Sequence, residues 1–97
     1  MLRHVIVFRW RAGTTDEQVD AVTAALRALP AAIAELASYD VGPDAGINAG
    51  NHQYAVVADF ATVEDYLVYR DHPTHQAAIR DVIAPLVAER AAVQYEV

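Results

Sequence analysis

Apolar and polar residues alternate from Leu2 to Trp10, so an extended strand carries Leu2, His4, Ile6, Phe8 and Trp10 on one face and Arg3, Val5, Val7 and Arg9 on the other. The middle of that strand is apolar on both faces. Gly13 breaks the alternation, and Thr14 or Thr15, followed three residues later by Glu17 or Gln18, forms a capping box that starts a helix. Val19, Val22, Leu26, Leu29, Ile33 and Leu36 follow at helical spacing as one buried stripe, which Pro30 is expected to kink or interrupt. Leu36 to Val41 reads as a short second strand ending at Gly42-Pro43. Gly42 to Asn51 is the one loop-like stretch, and His52 to Phe60 reads as a third strand, with Tyr54, Val56, Ala58 and Phe60 alternating against Gln53, Ala55, Val57 and Asp59. A second capping box, Thr62 to Asp65, starts a short helix through Arg70. Asp71 or His72 then caps a further helix, with Pro73 in its first turn, an apolar stripe of Ile79, Val82, Ile83, Leu86 and Val87, and a late bend at Pro85. Ala91 to Val97 reads as the last strand.

The order βαββαβ predicts an α+β, ferredoxin-like fold: a four-stranded antiparallel sheet with its helices on one face, in a single domain spanning residues 1–97. Helices on one face leave the other bare. Val5, Val7, Ala55 and Val57 lie opposite Ile6, Phe8, Val56 and Phe60, so the uncovered face is apolar too, and two copies packed sheet to sheet in a twofold homodimer would bury it. Composition points the same way. Hydrophobic residues make up 55% of a 97-residue chain, rich for a domain that buries only about two-thirds of its unfolded surface.

No apolar run approaches the length of a membrane span and no signal-peptide layout opens the sequence, which predicts a soluble cytoplasmic protein without a membrane partner. A net charge of −6 with seven scattered arginines argues against nucleic acid. Cysteine and lysine are absent and Ser38 is the sole serine, so thiolate, Schiff-base and most serine chemistry fall away. The remaining candidates are His4, His52, His72, His75 and the tyrosines. Tyr69 ends one helix, and the turn Asp71-His72-Pro73-Thr74-His75 brings the next helix back beside it. His75 in a first helical turn is disfavoured as imidazolium by the helix dipole, and a histidine kept neutral can act as a base. Tyr69, protonated at neutral pH, can donate a hydrogen bond to a carbonyl or enolate. Alternatively, His72 is only a cap, His75 and Tyr69 only packing residues, and His4 a satisfied core histidine. A metal site would need His72 and His75 joined by His4, His52, Asp65 or Asp71; the capping geometry pulls His72 away, and no metal is expected.

The opening Arg3-His4-Val5-Ile6-Val7-Phe8-Arg9-Trp10, the helix ending Leu29-Pro30, the strand end Tyr39-Asp40-Val41-Gly42-Pro43 and above all His72-Pro73-Thr74-His75 resemble the stress-responsive dimeric α+β barrel (Dabb) family from residue 2 to the C-terminus. That family mixes stress-induced proteins with enzymes, among them the plant polyketide cyclase that makes olivetolic acid. The resemblance implies a cofactor-independent intramolecular aldol condensation of a polyketide-like molecule, with His75 as the base, Tyr69 as its partner and His4 in the same pocket. It places Tyr54 where the plant enzyme has a pocket histidine in its third strand. Ile6, Phe8, Tyr54, His72, Ile79 and Ile83 are the expected substrate-binding residues, with no cofactor. Two alternatives stand beside this: a non-catalytic stress-response dimer that binds a small apolar ligand, and a cofactor-free monooxygenase.

Overall fold

The computed structural model describes residues Met1–Val97. Strand β1 (Leu2–Trp10) leads through a turn at Gly13 into α1 (Asp16–Arg27), and a short α2 (Leu29–Ala32) precedes β2 (Ser38–Pro43). Strand β3 (Tyr54–Phe60), α3 (Val63–Asp71), α4 (Pro73–Ala78), a π-helical turn (Ile79–Ile83) and β4 (Val87–Glu96) complete the chain. The four strands lie in the order β2-β3-β1-β4, every neighbouring pair antiparallel. The fold is the predicted ferredoxin-like α+β arrangement.

The capping residues act where the sequence places them. The Thr15 hydroxyl accepts from the Gln18 backbone N–H and the Gln18 side chain accepts from the Thr15 N–H, closing the capping box of α1. Thr62 accepts from Asp65 at the start of α3. Pro30 interrupts the first helical unit: α1 stops at Arg27, and Pro30 sits in the first turn of α2, where its missing N–H leaves no bond unmade.

Element ends differ from the sequence expectation. Strand β2 starts at Ser38 rather than Leu36, and β3 at Tyr54 rather than His52. The larger difference is at the C-terminal end. Pro85 does not bend a continuing helix but follows its end: the Ala84 N–H bonds the Ile79 carbonyl five residues back, the helix widens into a π turn, and a turn through Leu86 leads into β4 at Val87. Leu86 and Val87 therefore leave the helical stripe, and β4 is four residues longer at its start than expected.

Tyr54, Val56, Ala58 and Phe60 of β3 face the helices and are buried with Phe8, Val22, Leu26, Leu29 and Ile33. The opposite face carries Val5, Val7, Ala55 and Val57, with Ala91, Val93 and Tyr95 brought beside Val7, Val5 and Arg3 by the β1–β4 register. No helix covers it. Val93 stays 57% exposed and Tyr95 46%. One charged group is sunk into this face: Asp59 accepts a two-pronged hydrogen bond from Arg3 at 2.8 and 2.9 Å and a third from the Ser38 hydroxyl at 2.8 Å. Together they hold its carboxyl down at about 2.

A candidate active site between helix and sheet

The helix-facing side of β1, β3 and β4, the C-terminal half of α3, the start of α4 and the π turn frame a cavity of about 460 Å³. Its wall is largely apolar, from Ile6, Phe8, Val56, Ile79, Ile83 and Val87, and its polar groups are His4, Tyr66, Tyr69, His75, Gln76 and two arginines, Arg70 and Arg90. This is the size and character of a small-molecule site.

His75 reaches the cavity because α3 ends at Asp71 and Pro73 opens a new helix at an angle. The Arg70 carbonyl, left without a partner within the helix at the end of α3, accepts from Gln76 Nε2 at 2.5 Å and lies 3.1 Å from His75 Nδ1. A carbonyl only accepts, so Nδ1 carries the hydrogen and the free lone pair of the neutral ring is on Nε2. The imidazole stacks on the Tyr69 ring at 4.0 Å between centroids, with planes 29° apart. Burial pushes its pKa below 6.5, against the opposing pull of the backbone carbonyls at Arg70 and Tyr69. The ring is thus kept neutral mainly by burial, where the sequence pointed to a helix dipole.

His4, in the middle of β1, is 5% exposed. Register places it opposite Gln94, whose side-chain amide donates to His4 Nδ1 at 2.9 Å. The ring hydrogen of neutral His4 is therefore on Nε2. Burial first, then the charges of Arg90 and His75, depress its pKa to about 4. The two histidines carry opposite tautomers: His75 offers a lone pair at Nε2, and His4 a hydrogen.

Tyr69 is buried and ringed by Tyr39, Phe60, Tyr66, His4 and His75. Its hydroxyl lies 3.2 Å from that of Tyr39. Desolvation raises both phenol pKa values, so both stay protonated at neutral pH. With Tyr39 donating, the Tyr69 hydrogen is left free for a ligand oxygen.

Of the residues expected from the sequence, His4, Ile6, Phe8, Tyr69, His75, Ile79 and Ile83 all line the cavity. Tyr54 and His72 do not. Tyr54 pairs with Phe8 at the far end of β3, its hydroxyl bonded to Thr23 of α1 at 2.6 Å, and it packs on Trp10 in the core. His72 caps α4, its Nδ1 accepting from the Thr74 N–H at 3.1 Å. Nowhere do three or more His, Cys, Asp or Glu side chains converge as metal ligands. Tyr66, one of the candidate tyrosines, lines the cavity too, while Arg90 and Gln94 enter the site unanticipated. Tyr66 lies three residues before Tyr69, one helical turn along the same face, which brings both rings to the cavity.

Fold and site together define a ferredoxin-like α+β protein with a histidine- and tyrosine-lined cavity under its helices. The sequence profile of the Stress responsive A/B Barrel Domain matches residues 2–97. The chain belongs to that family. A dimeric ferredoxin-like protein of unknown function from Thermobifida fusca is 47% identical and superposes with a TM-score of 0.92, the match covering 99% of this chain and 90% of that one. A dimeric ferredoxin-like protein of unknown function from Bacteroides fragilis is 30% identical, with a TM-score of 0.82 over 99% and 95% of the two chains. A hydroxynitrile lyase from Passiflora edulis shares the fold at 20% identity, with a TM-score of 0.85 over 99% and 92%. No curated protein matches the chain. No helix is long and apolar enough to cross a membrane.

Proposed function

We propose that the chain acts as a homodimeric, single-domain enzyme that moves a proton at a carbon next to a carbonyl without a cofactor, in an intramolecular aldol-type closure of a polyketide-like substrate. The observation that carries this reading is His75: a neutral imidazole, stacked on Tyr69, its Nδ1 hydrogen given to the Arg70 carbonyl and its Nε2 lone pair left for a substrate in an apolar cavity. His75 Nε2 takes the proton from the carbon. The negative charge moves to the carbonyl oxygen, which accepts hydrogen bonds from the Tyr69 hydroxyl and His4 Nε2–H. The enolate carbon then attacks a second carbonyl of the same molecule, a carbon–carbon bond forms, and the alkoxide takes back the proton from His75. The apolar wall folds the chain so that the two carbons meet.

The uncovered sheet face, apolar and rich in exposed β4 residues, supports the homodimer, as does the dimeric state of the Thermobifida fusca relative. That the fold also carries a hydroxynitrile lyase supports catalysis on this scaffold, though a fold by itself does not choose a reaction. A binding role without chemistry is favoured by the opposite sense of the same hydroxyl pair: with Tyr69 donating to Tyr39, its hydrogen is spent within the protein. His75→Asn separates the two. Its amide can still donate to the Arg70 carbonyl, while the base at Nε2 is gone. With a linear poly-β-keto acid followed by absorbance and mass, wild-type protein is expected to cyclise the substrate and H75N to lose about a hundredfold or more in rate. Equal rates for the two proteins, or no cyclisation by the wild type, would exclude the reading.

A further inference from the structure

The charge around the cavity is inverted relative to the protein. The chain is formally −6, with 13 acidic residues, yet no carboxylate lines the cavity and two guanidinium groups do. Arg70 is neutralised by Asp71, which accepts from it at 2.8 and 3.0 Å. The Arg90 side chain has no hydrogen bond or ion pair to any group of the chain. Five of the seven arginines are bonded within the chain: Arg3 to Asp59, Arg9 to Glu89 and the carbonyls of Gly50 and Asn51, Arg11 to the Val87 carbonyl, Arg70 to Asp71 and Arg80 to Asp81. Of the two left free, Arg27 does not line the cavity and Arg90 does. Register explains the placement: Arg90 of β4 sits opposite Phe8 of β1, on the helix-facing side of the sheet. It is close enough to His4 for its charge to be felt there.

We propose that Arg90 is the anchor for the carboxylate of an amphipathic ligand whose apolar body lies along Ile6, Phe8, Ile79, Ile83 and Val87. This names the substrate class of the reaction proposed above and rests on that reading for its chemistry, but not for its binding. A guanidinium presents paired N–H donors that match a carboxylate, and the exposed position of Arg90 at the edge of the cavity lets the head group keep part of its hydration while the chain is buried. At the ~30 Å³ a water molecule occupies, the cavity holds about fifteen non-hydrogen atoms, which suits a medium-chain acid.

Decanoate, decanol and decyl phosphate, titrated calorimetrically into the whole chain at pH 7, share one body and differ in the head group. The wild type is expected to bind decanoate about tenfold more tightly than decanol, with a preference that shrinks as salt is added. Arg90→Gln should lose that preference and leave decanol affinity unchanged, Arg90→Lys should keep part of it, and Arg27→Gln should keep all of it. Because the Arg90 guanidinium bonds to nothing in the chain, R90Q is expected to melt as the wild type does. Equal affinity of the wild type for decanoate and decanol overturns the proposal, as does an equal loss for both ligands in R90Q. A clear preference for decyl phosphate over decanoate overturns the carboxylate assignment. These are binding measurements, so they fail independently of the turnover test on His75: a carboxylate preference with no cyclisation leaves a binding protein, and cyclisation without the preference leaves an enzyme for a neutral substrate.

Discussion

His4 gives the site a measurable effect on stability. Its pKa falls from 6.5 in the unfolded chain to about 4 in the fold, because burial and the neighbouring Arg90 charge oppose the imidazolium form. Below pH 6.5 the unfolded chain takes up a proton at His4 that the folded chain refuses, so the unfolded state binds more protons and stability falls as the pH falls. The loss begins near 6.5 and is complete below about 4. At 1.36 kcal/mol per pH unit it amounts to about 3 kcal/mol, a large share of the total for a domain of this size. His75, shifted in the same direction, adds to the same window. Asp59 does not, because its depressed pKa withdraws stability only between about 4 and 2. The perturbation is His4→Asn, which keeps an oxygen near the Nδ1 position to accept from Gln94 and removes the titrating ring. Urea unfolding at fixed protein concentration, at pH 7, 5.5 and 4.5, should show the wild type losing most of this increment and H4N a much shallower slope. Proton NMR of the His4 ring gives the pKa directly. A wild-type pH slope that survives unchanged in H4N, or a ring that titrates near 6.5, would refute the account.

Two further outcomes follow from the sheet. Val93→Asp puts a charge into the middle of the uncovered face, and light scattering should show a dimer for the wild type and a monomer for V93D; a V93D dimer would place the interface elsewhere. Asp59→Asn leaves Arg3 without its two-pronged partner, and the urea midpoint at pH 7 should fall by an amount equivalent to about 1–2 kcal/mol, with the difference from the wild type vanishing below pH 2 as Asp59 itself becomes protonated; an unchanged midpoint would show the cluster to be energetically idle.

Much of the fold is legible because periodicity and punctuation agree. The alternation in β1 and β3, the three- and four-residue spacing from Val22 to Ile33, and the caps at Thr15, Thr62 and His72 each point to the element that forms. The start of β4 is not legible. Val87-Ala88-Glu89-Arg90 is composed like a helix and follows an apolar helical stripe, but Pro85 removes the N–H needed to continue, and pairing of Trp10 with Val87 and Arg9 with Glu89 draws the segment into the sheet. A long-range pairing decides the matter, and no local window contains it.

The same long-range pairing divides the site into a part that can be read and a part that cannot. Tyr69 and His75 are brought together by six residues of chain, a helix end and a proline, so the short motif carries their geometry almost by itself. The residues that set the chemistry of His4 lie some ninety positions away: Gln94, which fixes its tautomer, and Arg90, which lowers its pKa, arrive only through the register of β4 on β1. A slip of one residue in that register would turn both side chains to the uncovered face and leave His4 with neither. The bulge between Arg9 and Trp10 lies at the end of this ladder, where β4 leaves the π turn, so the local break in the helix before Pro85 and the electrostatics of the cavity belong to one structural arrangement. Shortening the turn through Leu86 by one residue should therefore disturb His4 before it disturbs His75, with the NMR titration of His4 moving toward 6.5 while the stacking of His75 on Tyr69 persists.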